Sequence, residues 1–375
     1  MKLGDHLEFR SGRGVPTRQA NACVPGFPVY GANGALGYAT EHNTSGPVIV
    51  VGRVGTYCGS VRYCDSDVWV TDNAFACRAK DPEETRYWYY ALQTCRLNEH
   101  RAGSGQPLLN QSILRDLPVP AVPVRDRHRI GALLGAVDDK IAANDRVISA
   151  AEALMVCTVE SVSGHVSLSS LASRSSVFLD AGAFADLVAL FSLPAFDDGA
   201  KPRWVAGGSI RSGKFLLSQP CVLFAKLNPR IPRIWNVPDL PPAMALASSE
   251  FVVLTPTSVC SSVLWTALRQ PEVSETLQRQ VVGTSGSHQR IHPRDLLDVR
   301  VRDVRRLSRH DAQTIASLGA LCQARRGESA QLSAYRDALL PMLISGQVRV
   351  GDLSTADTPS SACNQAHTEP IRSIK

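Results

Sequence analysis

The sequence lacks most of the features that place a protein at sight. No apolar run among its 375 residues approaches a membrane span, and the opening MKLGDHLEFR holds no apolar signal core. Both absences lead us to expect a cytoplasmic chain. Ten cysteines are present, but no two form CxxC, and Cys23, Cys58, Cys64, Cys77 and Cys95 show no metal-ligand rhythm with histidine. That argues against a disulfide framework and a metal site, and leaves the thiols as small buried apolar groups in a reduced compartment. A phosphate loop is also missing: Gly213-Lys214 is followed by Phe215, where the GxxxxGK motif requires Ser or Thr. There is no nucleophile elbow, and His288, near Ser285 and Ser287, has no Asp in its motif to orient it. A free-standing enzyme finds no motif here. Charge excludes little: a net +6 permits a nucleic-acid partner without requiring one.

What is present begins with a helix. From Arg129 to Met155, the positions Ile130, Leu134, Val137, Ile141, Asn144, Ile148, Ala151 and Met155 alternate steps of four and three. This 3.5-residue repeat marks a helix packed along a narrow seam against another helix. Asn144 is the polar member, of the kind that costs stability and fixes register; its other reading is a solvent-facing residue at a wobble in the coil. Extended from about Arg125 to about Val159, such a helix is ~50 Å long.

β-like sequence flanks it. PVIVVGRV (Pro47 to Val54), Val68 to Val70 and Ala74 to Ala76 read as strands, and Tyr87 to Leu97 as a short helix. A polar loop from Arg101 to Gln111 follows, then Ile113 to Val124, which its prolines should keep extended. The second half offers strands at Pro220 to Leu227 and Glu250 to Leu254, a helix from Val263 to Gln280, and a polar loop from Val282 to Arg290. A second long helix, Leu307 to Leu343, carries Ile315, Leu318, Cys322, Leu332, Tyr335, Leu339 and Leu343, with Pro341 expected to end or kink it.

The halves repeat one plan. Arg115-Asp116-Leu117 matches Arg294-Asp295-Leu296; Gly103 to Gln106 resembles Gly283 to Gly286; Val50-Val51-Gly52-Arg53-Val54 stands beside Leu223-Phe224-Ala225-Lys226-Leu227. Ile130 answers Ile315, and Glu152 to Met155 answers Asp337 to Leu340. A duplicated domain-plus-helix closes most simply as a pseudo-twofold with antiparallel helices. The expected class is α+β: two pseudo-symmetric, β-rich domains with short helices, separated by two long antiparallel helices forming a coiled coil. Residues 1–123 form the first domain, 124–160 the first helix, 161–303 the second domain, 304–345 the second helix, and 346–375 a disordered tail. Domain interiors differ, as Asn33 to Tyr38 against Gly207 to Ser212 shows. Equal scaffolds with different faces suggest two related ligands, and B-DNA offers such ligands one helical turn, ~34 Å, apart. Neutral drift of a repeat protein is the plainer alternative.

At this point the residues resemble a family. PVYGANGALGY (Pro28 to Tyr38), IVVGRVGTYCGSV (Ile49 to Val61), VTDNAFAC (Val70 to Cys77), GSGQPLLNQSILRDLPVPAVP (Gly103 to Pro123) and RIGALLGAVDDKIAANDRVISAAEALM are similar to the specificity subunit of a type I restriction–modification system. The second half matches in outline, through FAKLNPR (Phe224 to Arg230), GTSGSHQRIHPRDL (Gly283 to Leu296) and the final helix. The resemblance implies a non-catalytic subunit in which each target recognition domain reads one half of a split, asymmetric site in double-stranded DNA. The helices would set the unread spacer and dock two modification subunits. Those partners would bind S-adenosylmethionine and methylate adenine at N6, and restriction subunits using ATP and Mg can join. No cofactor is expected in this chain. It carries no Asn/Asp-Pro-Pro-aromatic motif of amino-methyltransferases, Asn228-Pro229-Arg230 being the nearest string.

Phosphates call for Lys and Arg, base edges for Arg, Asn, Gln, Ser and Thr. The candidates in the first domain are Asn33, Arg53, Tyr57, Arg101, Ser104, Gln106, Asn110 and Gln111; in the second, Lys226, Asn228, Arg230, Arg233, Ser285, Ser287, His288 and Arg290. Their plainer reading is structural: Arg53 and Lys226 as salt-bridge cations, the Ser/Gly loops as turns. Tyr57, Tyr87, Trp88, Tyr89 and Tyr90 can stack on bases but read better as core. The seam is expected to hold Ile130, Leu134, Val137, Ile141, Asn144, Ile148 and Met155 against Leu318, Leu332 and Leu339. The competing function is a protein-interaction scaffold of duplicated modules on a helical rod, binding no DNA.

Overall fold

A computed structural model describes residues 1–15, 26–101, 108–228, 231–281 and 289–353. The chain divides into two compact units, Met1–Val137 with Tyr335–Lys375, and Asp138–Ala334. Both long helices contribute residues to both units. The fold is the expected mixture of sheets and helices.

In the first unit the strands are β1 (Leu7–Ser11), β2 (Phe27–Gly31), β3 (Gly34–Ala39), β4 (Val48–Gly52), β5 (Val61–Cys64), β6 (Trp69–Val70) and β7 (Ala74–Ala79). An antiparallel sheet of order β1-β7-β4-β5 is accompanied by a smaller sheet, β3-β2-β6. Strand β4 is apolar throughout because both its faces are covered. Ile49 and Val51 join the main core, with Phe75 and Cys77, while Val48 and Val50 pack with Ala74, Ala76 and Val70. Strand β1 lies at the edge and alternates: Leu7 and Phe9 face the core, Glu8 and Arg10 face solvent.

Helix α1 (Thr85–Thr94) buries Tyr87, Trp88, Tyr90 and Leu92 in the same core, so these aromatics serve packing. Helix α2 (Gln111–Asp116) occupies a stretch expected to be extended. Asn110 caps it, and the prolines that disfavour helix begin only at Pro118. Helix α3 (Val124–Glu160) opens with Arg127, which is buried and donates from Nη1 to both oxygens of Glu84 at 3.0 Å. Ile130 and Leu134 of α3 reach the main core beside Leu340, Leu343 and Ile344.

The second unit holds β8 (His165–Ser167), β9 (Ala172–Arg174), β10 (Phe178–Leu179), β11 (Leu187–Phe191), α4 (Leu193–Asp197), β12 (Arg203–Ala206), β13 (Lys214–Leu217), β14 (Cys221–Ala225), β15 (Ile234–Val237), β16 (Met244–Ala247) and β17 (Phe251–Pro256). Helices α5 (Ser261–Leu268), α6 (Pro271–Val281) and α7 (Pro293–Asp298) follow, then β18 (Arg300–Arg302) and α8 (Arg309–Ile344). The sheet β15-β14-β17-β9 matches the order β5-β4-β7-β1 of the first unit. Its companion, β10-β13-β16-β11-β12, has five strands where the first unit has three. The helix expected from Val263 to Gln280 is two helices, because Pro271 begins α6 at the position where its missing N–H costs nothing.

Within this unit α3 and α8 run antiparallel. Asn144, 1% exposed, donates from Nδ2 to Glu328 Oε2 and Ser329 Oγ, both at 3.1 Å; Ile148 and Ala151 pack with Cys322 and Leu318; Arg326 pairs with Glu152. Met155 and Val159 lie in one core with Ile315. Tyr335, expected among the apolar positions of α8, is 68% exposed, and the helix, expected to end or kink at Pro341, carries that proline inside its last turn and ends at Ile344. Leu332 and Leu339 are half-buried, as are Val137, Ile141 and Leu318.

Of the stretch 346–375 expected to be a disordered tail, residues 354–375 lie outside the described residues, and the part before them carries regular structure. Val348 N–H donates to the Met342 carbonyl, and α9 (Val350–Leu353) follows; Val348 and Val350 pack on the first unit's core. Among the described residues eight cysteines are free, and burial pushes the Cys221 thiol up to about 12. Among them, too, no helix is long and apolar enough to cross a membrane.

Candidate nucleic-acid interface

Strand register brings Asn33, Arg53, Tyr57, Asn110 and Gln111 of the first unit to one end of its main sheet. There β4 ends at Gly52, opposite Ala74, and β1 ends at Ser11, opposite Phe75. Arg53 follows directly. Its N–H donates to the Asn73 carbonyl at 2.9 Å, and its carbonyl accepts from Leu109 N–H at 2.9 Å and from the Cys58 thiol at 3.2 Å. The chain returning at Leu108 and Leu109 is therefore fastened to Arg53, and α2 starts immediately beyond. The guanidinium lies over Phe75, with Cζ 5.4 Å from the ring centroid, and its Nε is buried with no hydrogen-bond partner among the described residues.

Gly52 makes the arrangement possible. A Cβ there would lie 2.6 Å from the Tyr57 carbonyl oxygen and 2.7 Å from that of Ala32. The Ser60 hydroxyl donates to the same Ala32 carbonyl at 2.7 Å. The β2–β3 turn, which carries the exposed Asn33, and the 53–59 loop, which carries the 54%-exposed Tyr57, thus meet over Gly52 beside Arg53.

Other first-unit candidates have structural duties. Asn110 accepts from Ile113 N–H at 2.8 Å and from the Ser112 hydroxyl at 2.7 Å, so its oxygen caps α2. Gln111 donates from Nε2 to Ser11 Oγ at 3.3 Å and accepts from Arg115. Arg101 is exposed. Ser104 and Gln106 lie outside the described residues, as do Arg230, Ser285, Ser287 and His288.

The second unit builds the same junction with different side chains. Lys226 follows β14 as Arg53 follows β4. Its N–H donates to the Glu250 carbonyl at 2.8 Å, its carbonyl accepts from Ile291 N–H at 2.9 Å, and α7 starts just beyond, capped by His292. Burial lowers the Lys226 ammonium pKa; Glu250 opposes this, while Arg290 and Arg174 add to it. Arg290 donates to Glu250 Oε1 at 3.1 Å, and Glu250 Oε2 is buried without a partner among the described residues. Asn228 adopts a left-handed φ of 53° and donates its N–H to the Gln289 carbonyl. Arg233 stands apart, held by Asp197 at 2.6 and 3.1 Å.

Sequence reasoning missed Ser11, Asn73 and Glu250. Only the pairing of β1 and β4 with β7, and of β14 with β17, puts them at these junctions; no spacing in the sequence reveals it. One group among the described residues has ligand atoms close enough for a metal: Asp81, Glu84 and His128. It does not fit one, because both Glu84 oxygens accept from Arg127 and one also accepts from Trp88 Nε1 at 2.8 Å.

A family model described as the type I restriction modification DNA specificity domain matches residues 1–153. The chain is similar to the type I restriction enzyme EcoprrI specificity subunit of Escherichia coli, at 25% identity over 138 residues, 37% of this chain. The matched stretch spans a third of that relative, 33% of its length. Among solved structures, the type I restriction-modification system S subunit from M. genitalium superposes with a TM-score of 0.61 at 14% identity, covering 92% of this chain and 95% of that one.

Proposed function

We propose, from the match of residues 1–153 to the type I restriction modification DNA specificity domain model and from the S-subunit fold of the chain, that it is the DNA-reading subunit of a type I restriction–modification complex. Each unit reads one half of a bipartite, asymmetric site. The observation that carries this reading is the repeated junction: Arg53 and Lys226 follow matched strands and are fastened by matched backbone bonds to Leu109 and Ile291, which lead into matched helices. One scaffold presents a cation twice, amid different neighbours, Asn73 in one unit and Glu250 in the other. That is what two readers of unlike sequences need, since phosphate contacts position and the surrounding side chains specify.

The chain itself catalyses nothing under this reading. Helices α3 and α8 fix the number of unread base pairs and dock two modification subunits, which bring S-adenosylmethionine and methylate adenine N6; restriction subunits join through them with ATP and Mg. The test is to co-express the chain with its modification subunit and map methylated adenines. Exchanging residues 1–123 for another recognition domain should change one half of the methylated sequence and preserve the other. A change in both halves together would refute the two-reader arrangement, and absence of any sequence-specific methylation would favour the DNA-free scaffold.

A further inference from the structure

Beside the reading end of the first unit, the outward faces of β1 and β7 and residues 43–45 enclose a notch of about 270 Å³ that none of the candidate residues drawn from the sequence lines. Arg10, Arg13 and Arg78 line it, with Glu8, Asn43 and Ser45. Register explains the meeting. Glu8 and Arg10 are the outward residues of β1, and Arg78 sits opposite Glu8 on β7. Arg13 arrives by a bend after β1: its N–H donates to the Val70 carbonyl at 3.0 Å, and its carbonyl accepts from Trp69 Nε1 at 3.2 Å. Arg78 is aimed across the notch by donating from Nη2 to the Ser45 carbonyl.

The charge is unbalanced. Three guanidinium groups face one carboxylate, Glu8, which lies 3.4 Å from Arg10 in an exposed pair worth little. Among the described residues Arg13 and Arg78 form no ion pair. Three cations converging on one notch repel each other, and a multivalent oxyanion relieves that, because the guanidinium fork matches phosphate geometry. The second unit does not repeat the notch. Matched through the strand pairing, Arg10 and Arg78 correspond to Ser175 and Thr255.

We propose that this notch is a phosphate site that holds one backbone phosphodiester of the DNA read by the first unit and so fixes the strand's register on Arg53. The proposal rests on the DNA-reading function above. The ligand chemistry, a phosphate oxyanion, could also come from free phosphate, and the experiment separates the two. The full chain is titrated with duplex DNA bearing the mapped site over a range of KCl concentrations. Removing one cation–phosphate interaction reduces the magnitude of the slope of log affinity against log salt by about 0.9. Arg10→Gln and Arg13→Gln together should reduce it by about that amount, while Arg146→Gln, an exposed charge on α3, should leave it unchanged. Arg78→Gln is a separate variant because it also removes the Ser45 bond. Melting curves confirm that each variant is folded.

A second arm adds inorganic phosphate at constant ionic strength and follows arginine side-chain NMR signals in the wild type and the double variant. Phosphate-induced shifts that vanish in the variant, together with the smaller DNA slope, support the proposal. Shifts without a slope change mean a free-anion site and overturn it, as does an unchanged slope without shifts. A wild-type chain that binds no duplex overturns the DNA-reading function instead, a result distinguishable from failure of the notch alone.

Discussion

Asn144 of α3 spends both protons of its buried amide on α8, one on Glu328 Oε2 and one on Ser329 Oγ. The Glu328 carboxyl is held below the usual carboxylate range by its bond from Arg325 first, then by those from Asn144 and Lys140. Asn144→Leu leaves Glu328 its two cations and adds an apolar side chain beside Ile148, so the melting temperature should hold or rise. Asn144→Asp replaces the donor with a second carboxylate. It should cost about 1–3 kcal/mol at pH 7, with most of the loss recovered near pH 4 as one of the two takes a proton. Urea unfolding of both variants at the two pH values checks this; a leucine variant weaker than the aspartate variant would contradict it.

The Arg127–Glu84 pair ties α3 to the N-terminal end of α1, with side chains only 6% and 5% exposed. Arg127 also donates from Nε to the Val122 carbonyl, and Trp88 donates to Glu84. Removing one partner strands the other charge, so Arg127→Met should lose about 3–5 kcal/mol. Replacing both, Arg127→Met with Glu84→Leu, should restore much of it. Denaturant titration of the two variants decides the matter: a double variant no better than the single would mean that packing, not the stranded charge, sets the cost.

His6 stacks on Trp88 at 4.7 Å, and its Nδ1 lies 3.4 Å from Arg127 Nη1. Burial first, then the Arg127 charge, hold its pKa below the usual histidine value of 6.5. The folded chain therefore keeps this ring neutral where the unfolded chain would protonate it. Stability should be unaffected by His6 well above that value, and should fall as the pH drops below it. His6→Asn should flatten this part of the pH profile, measured as unfolding free energy between pH 7.5 and 5.5. A wild type equally stable across that range would refute the assignment.

What the sequence makes legible follows from what its patterns encode. The 3.5-residue spacing is a property of one helix; of its eight positions Ile130, Leu134, Asn144, Ile148, Ala151 and Met155 are buried, and Val137 and Ile141 are half-buried. The run around Ile49 is a property of one strand covered on both faces. Expectation and structure part where local signals compete. Asn110 announces α2 while the prolines downstream argue for an extended chain, and the cap prevails; Pro271 starts a new helix inside a stretch whose pattern suggests one continuous helix. The junctions at Arg53 and Lys226 show in the repeat, whereas Asn73, Glu250 and the Arg10–Arg13–Arg78 notch depend on pairing between strands far apart in sequence.

Arg53 and Arg233 look alike as sequence candidates, and the structure separates them. Arg233 is 19% exposed and satisfied by Asp197, so Arg233→Gln should cost at most about 1 kcal/mol of stability and leave the salt slope of DNA binding unchanged. Arg53 meets no carboxylate among the described residues and keeps a buried, unpartnered Nε beside Phe75. Arg53→Gln should therefore weaken duplex binding and reduce the magnitude of the log affinity–log salt slope by about 0.9, with little loss of stability. Lys226→Gln should do the same for the other half-site. Duplexes with one half-site scrambled sharpen the comparison: Arg53→Gln should hurt binding most where the first unit's half-site is intact. An Arg233→Gln slope that falls as far as that of Arg53→Gln would show that the Asp197 pair opens on DNA, and that the free-cation argument picks the wrong arginine.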